Sequence, residues 1–302
     1  RNFKKMAGYP ASRLICSPVN GLCNRLKAME SCLEFAKATK RKFELKWYPE
    51  KKCNILFEDL FEYTDLLPQA DFNFDFEDLR EFGKKHHVLY SDDCVYFQYD
   101  ASGYENSKIN LLKECSLRNL IILNGGNLCY HGNGIEQVAA NKFSFYSNLV
   151  IKKEIISKID QFWSKYSNKN ILGVQLRTTD HCRRKEYSPL FKTQYNEVIK
   201  KTLDNAVAYI DIITDDYDYI YLTTDDLNLY DAFSDKLKNL IYYPKTEISR
   251  TTKEGMIGGL IDWYLLGKCD NILYSPGSTF GSEACVRKGI KGIKMSDIYN
   301  IE

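Results

Sequence analysis

Long apolar runs are missing from this chain. The longest fall far short of the ~20 residues that cross a bilayer, and no secretory signal pattern is visible. A membrane span within the fragment is excluded, and a cytoplasmic location is expected. Because the chain opens on Arg1 instead of Met, it is read as a fragment; an anchor removed from its front would move it to the Golgi or another secretory lumen. A surplus of one charge is also missing. The 42 basic residues face 40 acidic ones, for a formal net charge of +2, so no general polyanion-binding field arises and nucleic acid is not an expected partner. A local basic patch for a diphosphate remains open. The ten cysteines (16, 23, 32, 53, 94, 115, 129, 182, 269, 285) include no C-x-x-C pair. Several sit in expected strands and helices, as Cys16, Cys32 and Cys285 do, where a free thiol serves as a small hydrophobe. Reduced thiols are expected over a disulfide framework. His86-His87, His131 and His181 show no metal-ligand spacing. A G-x-S-x-G elbow and a Walker A loop are absent, and the first loop is not G-x-G-x-x-G, which disfavours a dinucleotide fingerprint.

What is present is ordinary globular material: 44% hydrophobic and 27% charged residues over 302 positions, enough for one large or two mid-sized domains. The 22 Tyr and 16 Phe suit core packing and a sugar-facing cleft. Apolar β-like runs alternate with helical patterns. Arg13–Cys16 reads as a strand, and the spacing of Leu22, Leu26, Met29, Leu33 and Ala36 predicts a helix. Lys42–Trp47 reads as the next strand, with a tight Pro18-Val19-Asn20-Gly21 turn at the first junction. The stretch 50–115 is less regular, with short strands expected at His87–Tyr90 and Val95–Tyr99. Asn119–Leu123 follows as a clear strand. Ile151, Ile155, Ile159, Phe162 and Tyr166 mark a helix, and the polar break Ser167-Asn168-Lys169-Asn170 reads as a linker. Further strands are expected at Ile171–Leu176, Tyr219–Thr223, Leu240–Tyr243, Asn271–Tyr274 and Gly292–Lys294. Helices are expected at Thr193–Tyr209, Leu227–Leu237, Glu254–Leu266 and Thr279–Arg287. Strands separated by helices of about 10–15 residues predict parallel, right-handedly wound sheets. The expected fold is α/β, with two Rossmann-like doubly wound lobes facing a cleft, divided as 1–150 and 151–302.

In such sheets ligands bind beyond the carboxyl ends of the strands. The first loop there is Asn20-Gly21-Leu22-Cys23-Asn24-Arg25, between strand and helix. Its glycine permits close backbone approach and the helix N-terminus offers N–H groups to an anion. Asn24 and Arg25 fall in the first turn, where a cation opposes the helix dipole, an arrangement that serves either a ligand or a solvated surface. The second, Gly173-Val174-Gln175-Leu176-Arg177-Thr178-Thr179-Asp180-His181, ends an apolar strand in a cation, two hydroxyls and a carboxylate. Arg177 suits phosphate oxygens, while Asp180 either orients that Arg or acts as a base. The third, Leu222-Thr223-Thr224-Asp225-Asp226, presents carboxylates to a guanine edge or ribose, or caps the following helix. The fourth, Ser275-Pro276-Gly277-Ser278-Thr279-Phe280-Gly281, combines hydroxyls with a helix N-terminus, as a phosphate cradle or a plain capping turn does. Asp216-Tyr217-Asp218 mimics a D-x-D metal motif but precedes its strand, and reads as a solvated acidic turn.

On these loops the chain resembles the GDP-fucose-dependent fucosyltransferase superfamily, which includes the α1,6-, nodulation and protein O-fucosyltransferases. Asn20–Arg25 is similar to its glycine-rich first loop, and Gly173–Asp180 to its H-x-R-R-x-D motif. Leu222–Asp226 is similar to its strand-end T-D-D, and Ser275–Phe280 to its terminal S-x-S-x-F type motif. Gln175 stands where the family has His, and Thr178 where the α1,6 branch has a second Arg, so the linkage stays open. The resemblance implies a GT-B-like fold and an inverting, metal-independent transfer of fucose from GDP-fucose to a glycan hydroxyl. The acceptor would lie on the N-terminal lobe and the nucleotide sugar on the C-terminal lobe. Arg177, Asp180 and Glu186 are the expected catalytic residues, Glu186 as the carboxylate just after the motif. Asn20, Gly21, Asn24, Arg25, Thr178, Asp225, Asp226, Gly277, Ser278, Thr279 and Phe280 are the expected donor contacts. No cofactor or metal is expected. The alternatives are a related transferase using another nucleotide sugar, because phosphate contacts do not read the sugar, and a catalytically silent nucleotide- or glycan-binding module.

Overall fold

The computed structural model describes residues 12–71, 88–90, 94–99, 119–126, 142–177, 208, 210, 214–275 and 277–295. The chain forms two compact units, Arg1–Lys152 and Lys153–Glu302.

In the first unit β1 (Arg13–Pro18), α1 (Leu22–Ala38) and β2 (Lys42–Leu45) form a β-α-β unit. α2 (Phe57–Leu60), β3 (Val88–Tyr90), β4 (Cys94–Tyr99) and β5 (Asn119–Asn124) follow. The sheet order is β2-β1-β5-β4-β3. It is parallel except for β3, which pairs antiparallel with β4. β1 is an interior, largely apolar strand beside the central β5, and Leu14, Ile15 and Cys16 are buried with Leu26, Met29 and Phe35 of α1. Strand edges differ from expectation by a residue or two, as at β2, which ends at Leu45. There the Lys46 N–H still donates to the Cys16 carbonyl of β1 at 2.9 Å, and Trp47 lies beyond the strand.

In the second unit α3 (Lys153–Trp163) leads into β6 (Ile171–Leu176), β7 (Tyr219–Thr224), α4 (Asn228–Ser234) and β8 (Leu240–Ile241). α5 (Lys253–Leu266), β9 (Asn271–Tyr274), α6 (Thr279–Lys288) and β10 (Ile293–Lys294) complete it. The sheet runs β10-β9-β6-β7-β8, parallel throughout. β6 lies at its centre and is buried along its whole length, as a strand covered on both faces must be. Leu172, Val174, Leu176, Ile220, Leu222 and Leu273 share one core with Tyr230 and Phe233 of α4. α5 carries apolar residues on all sides and is itself buried, packing with α3 and α6. At Gly173 α5 comes close to β6, since a Cβ there would meet Leu266 Cδ1 at 2.7 Å.

The polar break at Ser167–Asn170 lies inside this unit. The Asn170 N–H donates to Asp218 at 2.9 Å and the Ile171 N–H to Asp270 at 2.8 Å, so the segment anchors the amino edge of the sheet. Helix Thr193–Tyr209 lies outside the described residues apart from helical Ala208. Among the described residues no helix is long and apolar enough to cross a membrane. Cys16, Cys23, Cys32, Cys53, Cys269 and Cys285 are buried free thiols.

Candidate functional site

At the carboxyl edge of the first sheet the chain turns at Asn20, whose φ of 69° lies in the left-handed region that Asn tolerates better than most side chains. Its backbone N–H donates to the Glu50 carboxylate, and its side-chain carbonyl accepts from Lys52 at 3.0 Å. Its amide also presses on the loop after β5, where a Cβ at Gly125 would come within 2.0 Å of Asn20 Nδ2. The two adjacent strand ends are thereby locked together. Gly21 opens α1, and among the described residues no heavy atom lies within 4 Å of where its Cβ would be. Asn24 is half-buried.

Arg25 occupies neither of the positions the sequence suggested. Its side chain is 0% exposed. Nε donates to the Asn20 carbonyl at 2.9 Å, Nη1 to the Tyr48 carbonyl at 2.8 Å, and Nη2 lies 3.1 Å from Glu50. Its plane sits 4.4 Å from the Trp47 ring centroid. The guanidinium therefore ties the first loop to the segment after β2 from within the protein.

At the carboxyl edge of the second sheet, β6 ends in Arg177 beside the loop that follows β9. The Arg177 N–H donates to Ser275 Oγ at 2.9 Å, and the Ser275 N–H donates to the Gln175 carbonyl at 3.0 Å. Gly277 has φ 68°, which relieves the Cβ clash another residue would meet. Buried Ser278 then caps α6, its Oγ accepting from the Gly281 N–H at 3.5 Å. The first turn of α6 lies hard against β9, since a Cβ at Gly281 would meet Tyr274 Cβ at 2.3 Å and Gln175 Oε1 at 3.0 Å. Gln175 Oε1 is buried with no hydrogen-bond partner among the described residues. Thr279 and Phe280 are half-buried in that turn. Arg177 and the N-terminus of α6 thus share the end of adjacent strands, and N–H groups with a positive dipole end favour an anion there.

On the other flank of β6, β7 ends in half-buried Asp225 and Asp226. Asp226 serves the chain locally, accepting from the backbone N–H and the side-chain amide of Asn228 at 3.1 and 2.9 Å. A buried polar cluster lies beneath this strand. Asp262 of α5 accepts from Tyr221 Oη and Thr223 Oγ1, both at 2.9 Å, and pairs with Lys245. Burial, then the Asp262 charge, pushes the Tyr221 phenol well above its ordinary pKa. Sequence reasoning passed over Asp262, although a lone carboxylate within Gly258-Gly259-Leu260-Ile261-Asp262-Trp263-Tyr264-Leu265-Leu266 signals a buried partner.

Thr178, Asp180 and Glu186 lie outside the described residues, as do His86, His87, His131 and His181. The D-x-D-like pair sits at the amino edge of the second sheet, where the Asp216 carbonyl and the Asp218 carboxylate both accept from Asn170. Among the described residues no group of His, Cys, Asp or Glu is arranged to hold a metal ion.

Two Rossmann-like α/β units in series make this a GT-B type fold, the fold of a large class of glycosyltransferases. Solved structures of fucosyltransferases share it. A Bradyrhizobium fucosyltransferase NodZ superposes with a TM-score of 0.62 at 19% identity, covering 91% of this chain and 92% of that one. Arabidopsis thaliana FUT1, a mutant in complex with GDP, gives a TM-score of 0.63 at 14% identity over 96% of this chain and 71% of that one. POFUT1 in complex with GDP-fucose gives 0.57 at 13% identity over 95% and 98%. No protein-family model and no curated protein sequence matches the chain.

Proposed function

We propose that the chain is an inverting glycosyltransferase that moves fucose from GDP-fucose to a glycan hydroxyl without a metal ion. The observation that carries this reading is the convergence of Arg177 with the Ser275–Ser278 loop and the N-terminus of α6, in a fold shared with structures that contain GDP and GDP-fucose. In the proposed division of labour, residues 151–302 take the nucleotide sugar and 1–150 the acceptor.

Breaking the bond between fucose and the β-phosphate leaves charge on the departing diphosphate. Arg177, with Thr178, supplies a cation and a hydroxyl there, while Gly277, Ser278, Thr279 and Phe280 present the α6 N-terminus. Preorganised donors of this kind lower the barrier because they need no reorganisation as charge develops. Asp225 is assigned to the guanine or ribose, and Asp226 holds the loop that presents it. Asn20, Gly21 and Asn24 are assigned as donor contacts, and Arg25 holds their loop from beneath. The acceptor hydroxyl must lose a proton as it attacks the anomeric carbon, and Asp180 or Glu186 is the assigned base.

Arg177→Ala is expected to lower transfer by about 10²–10³-fold, the loss typical of one preorganised donor; near-normal turnover in the folded variant overturns the assignment. Activity is expected to persist in excess chelator. Loss on chelation with recovery on manganese contradicts metal independence. Between the two carboxylates, the base is the one whose amide variant, Asp180→Asn or Glu186→Gln, keeps GDP affinity and loses transfer.

A further inference from the structure

The first unit contains a cavity that none of the four sequence loops accounts for. It lies just past the carboxyl end of β2, has a volume of about 220 Å³, and is lined in part by Trp47, Tyr48, Leu56, Glu58, Tyr63 and Gln69. Three aromatic rings, a carboxylate and an amide around a space of that size suit a small, uncharged, polyhydroxylated ring. Aromatic faces take the C–H face of such a ring, while a carboxylate and an amide exchange hydrogen bonds with its hydroxyls.

The walls are held before any ligand arrives. The Trp47 indole N–H donates to the Ile55 carbonyl at 2.8 Å, and its ring is flanked by Arg25 at 4.4 Å and Phe57 at 5.7 Å. Tyr63 stacks on Phe57 with centroids 4.7 Å apart. Burial, and after it the neighbouring Glu58 carboxylate, raises the Tyr63 phenol above its ordinary pKa, so it stays a neutral donor. Arg25 also holds the Tyr48 carbonyl. Glu58 and Gln69 stand exposed at the mouth, where desolvating them costs little.

We infer that this cavity is a subsite for one pyranose ring of the acceptor glycan. The inference rests on the transferase reading above. It assigns the acceptor instead of the donor, because Lys46 and Glu58 offset one another in the lining and leave no net cation for a diphosphate.

The test uses the full chain with methyl glycosides of glucose, galactose, mannose and N-acetylglucosamine, read by saturation-transfer NMR, with a GDP thermal shift on each variant. At least one glycoside is expected to bind in the millimolar range. Tyr63→Ala and Glu58→Gln are each expected to weaken it at least 10-fold, with the GDP shift unchanged. If Tyr63→Ala does not fold, the exposed pair Glu58→Gln and Gln69→Ala carries the test. Glycoside binding unaffected by these changes, or no binding by any glycoside while GDP still stabilises the protein, overturns the subsite. A wild-type chain that gives no GDP shift yet binds a glycoside in a mutation-sensitive way overturns the transferase reading and with it the acceptor assignment, and leaves a sugar-binding cavity alone.

Discussion

At the scale of single residues, burial decides what a charged group does. Arg25 reads in the sequence as a cation beside a ligand-binding turn, yet it is buried beneath the loop with its donors on Asn20, Tyr48 and Glu50. Removing one partner of a buried pair leaves an uncompensated charge, at a cost of about 3–5 kcal/mol. Arg25→Met is therefore expected to lower stability by that amount, while Arg177→Met, at a half-buried edge, costs less than about 1.5 kcal/mol. Urea unfolding of the two variants checks the ordering, and equal costs contradict it. No local pattern distinguishes these two arginines, because Trp47, Tyr48 and Glu50, which enclose Arg25, lie more than twenty positions along the chain. The thiols were easier to read, since Cys16 and Cys32 sit at apolar positions of a strand and a helix. Burial pushes the Cys285 thiol up to about 11. Its folded pKa exceeds its unfolded one, so the folded state holds the proton longer. The associated stability is complete below the unfolded value and declines as pH rises from about 9 toward 11. Denaturation midpoints measured between pH 8 and 11 should fall across that window; a flat profile contradicts it.

At the scale of elements, the strands were the most legible feature. Ile171–Leu176 and Asn271–Tyr274 appear as read, because strands covered on both faces are mostly apolar, here broken only by Gln175 and the exposed Asn271. Ends were less legible: β8 stops at Ile241 where the apolar run continues to Tyr243. The Asp262–Lys245 pair was illegible in detail because it joins α5 to a loop, and only the lone carboxylate hinted at it. It is 2% and 8% exposed, so Lys245→Met alone should destabilise by about 3–5 kcal/mol. Adding Asp262→Leu should recover part of that loss despite removing a second polar group. A denaturant double-mutant cycle measures this, and strictly additive losses contradict a coupled buried pair. The contact between α6 and β9 offers a second element-level test. Gly281→Ala places a Cβ against Tyr274 and should cost about 1–3 kcal/mol. Because it also pushes the α6 N-terminus from its seat, GDP affinity should fall with it.

At the scale of the whole molecule, the alternation of strands and helices was enough to expect two parallel-sheet units, and both are present. The loops named from the sequence follow parallel strands, and a β-α-β winding puts the carboxyl ends of parallel strands on one side of each sheet. The cavity past β2 was not legible. It is built from the irregular stretch after β2, where no periodicity operates and the lining residues meet only through tertiary packing. The central claim is that these strand ends hold a guanosine diphosphate sugar. The most direct measurement is a thermal-shift panel of GDP, UDP, ADP and CMP, each with its sugar conjugates, on the wild-type chain and on Arg177→Ala. GDP and GDP-fucose at about 100 times their dissociation constants should stabilise the wild type by about 2.7 kcal/mol, the other nucleotides much less, and Arg177→Ala should lose most of the GDP response. A larger response to UDP, ADP or CMP than to GDP, or none to any nucleotide, would contradict it.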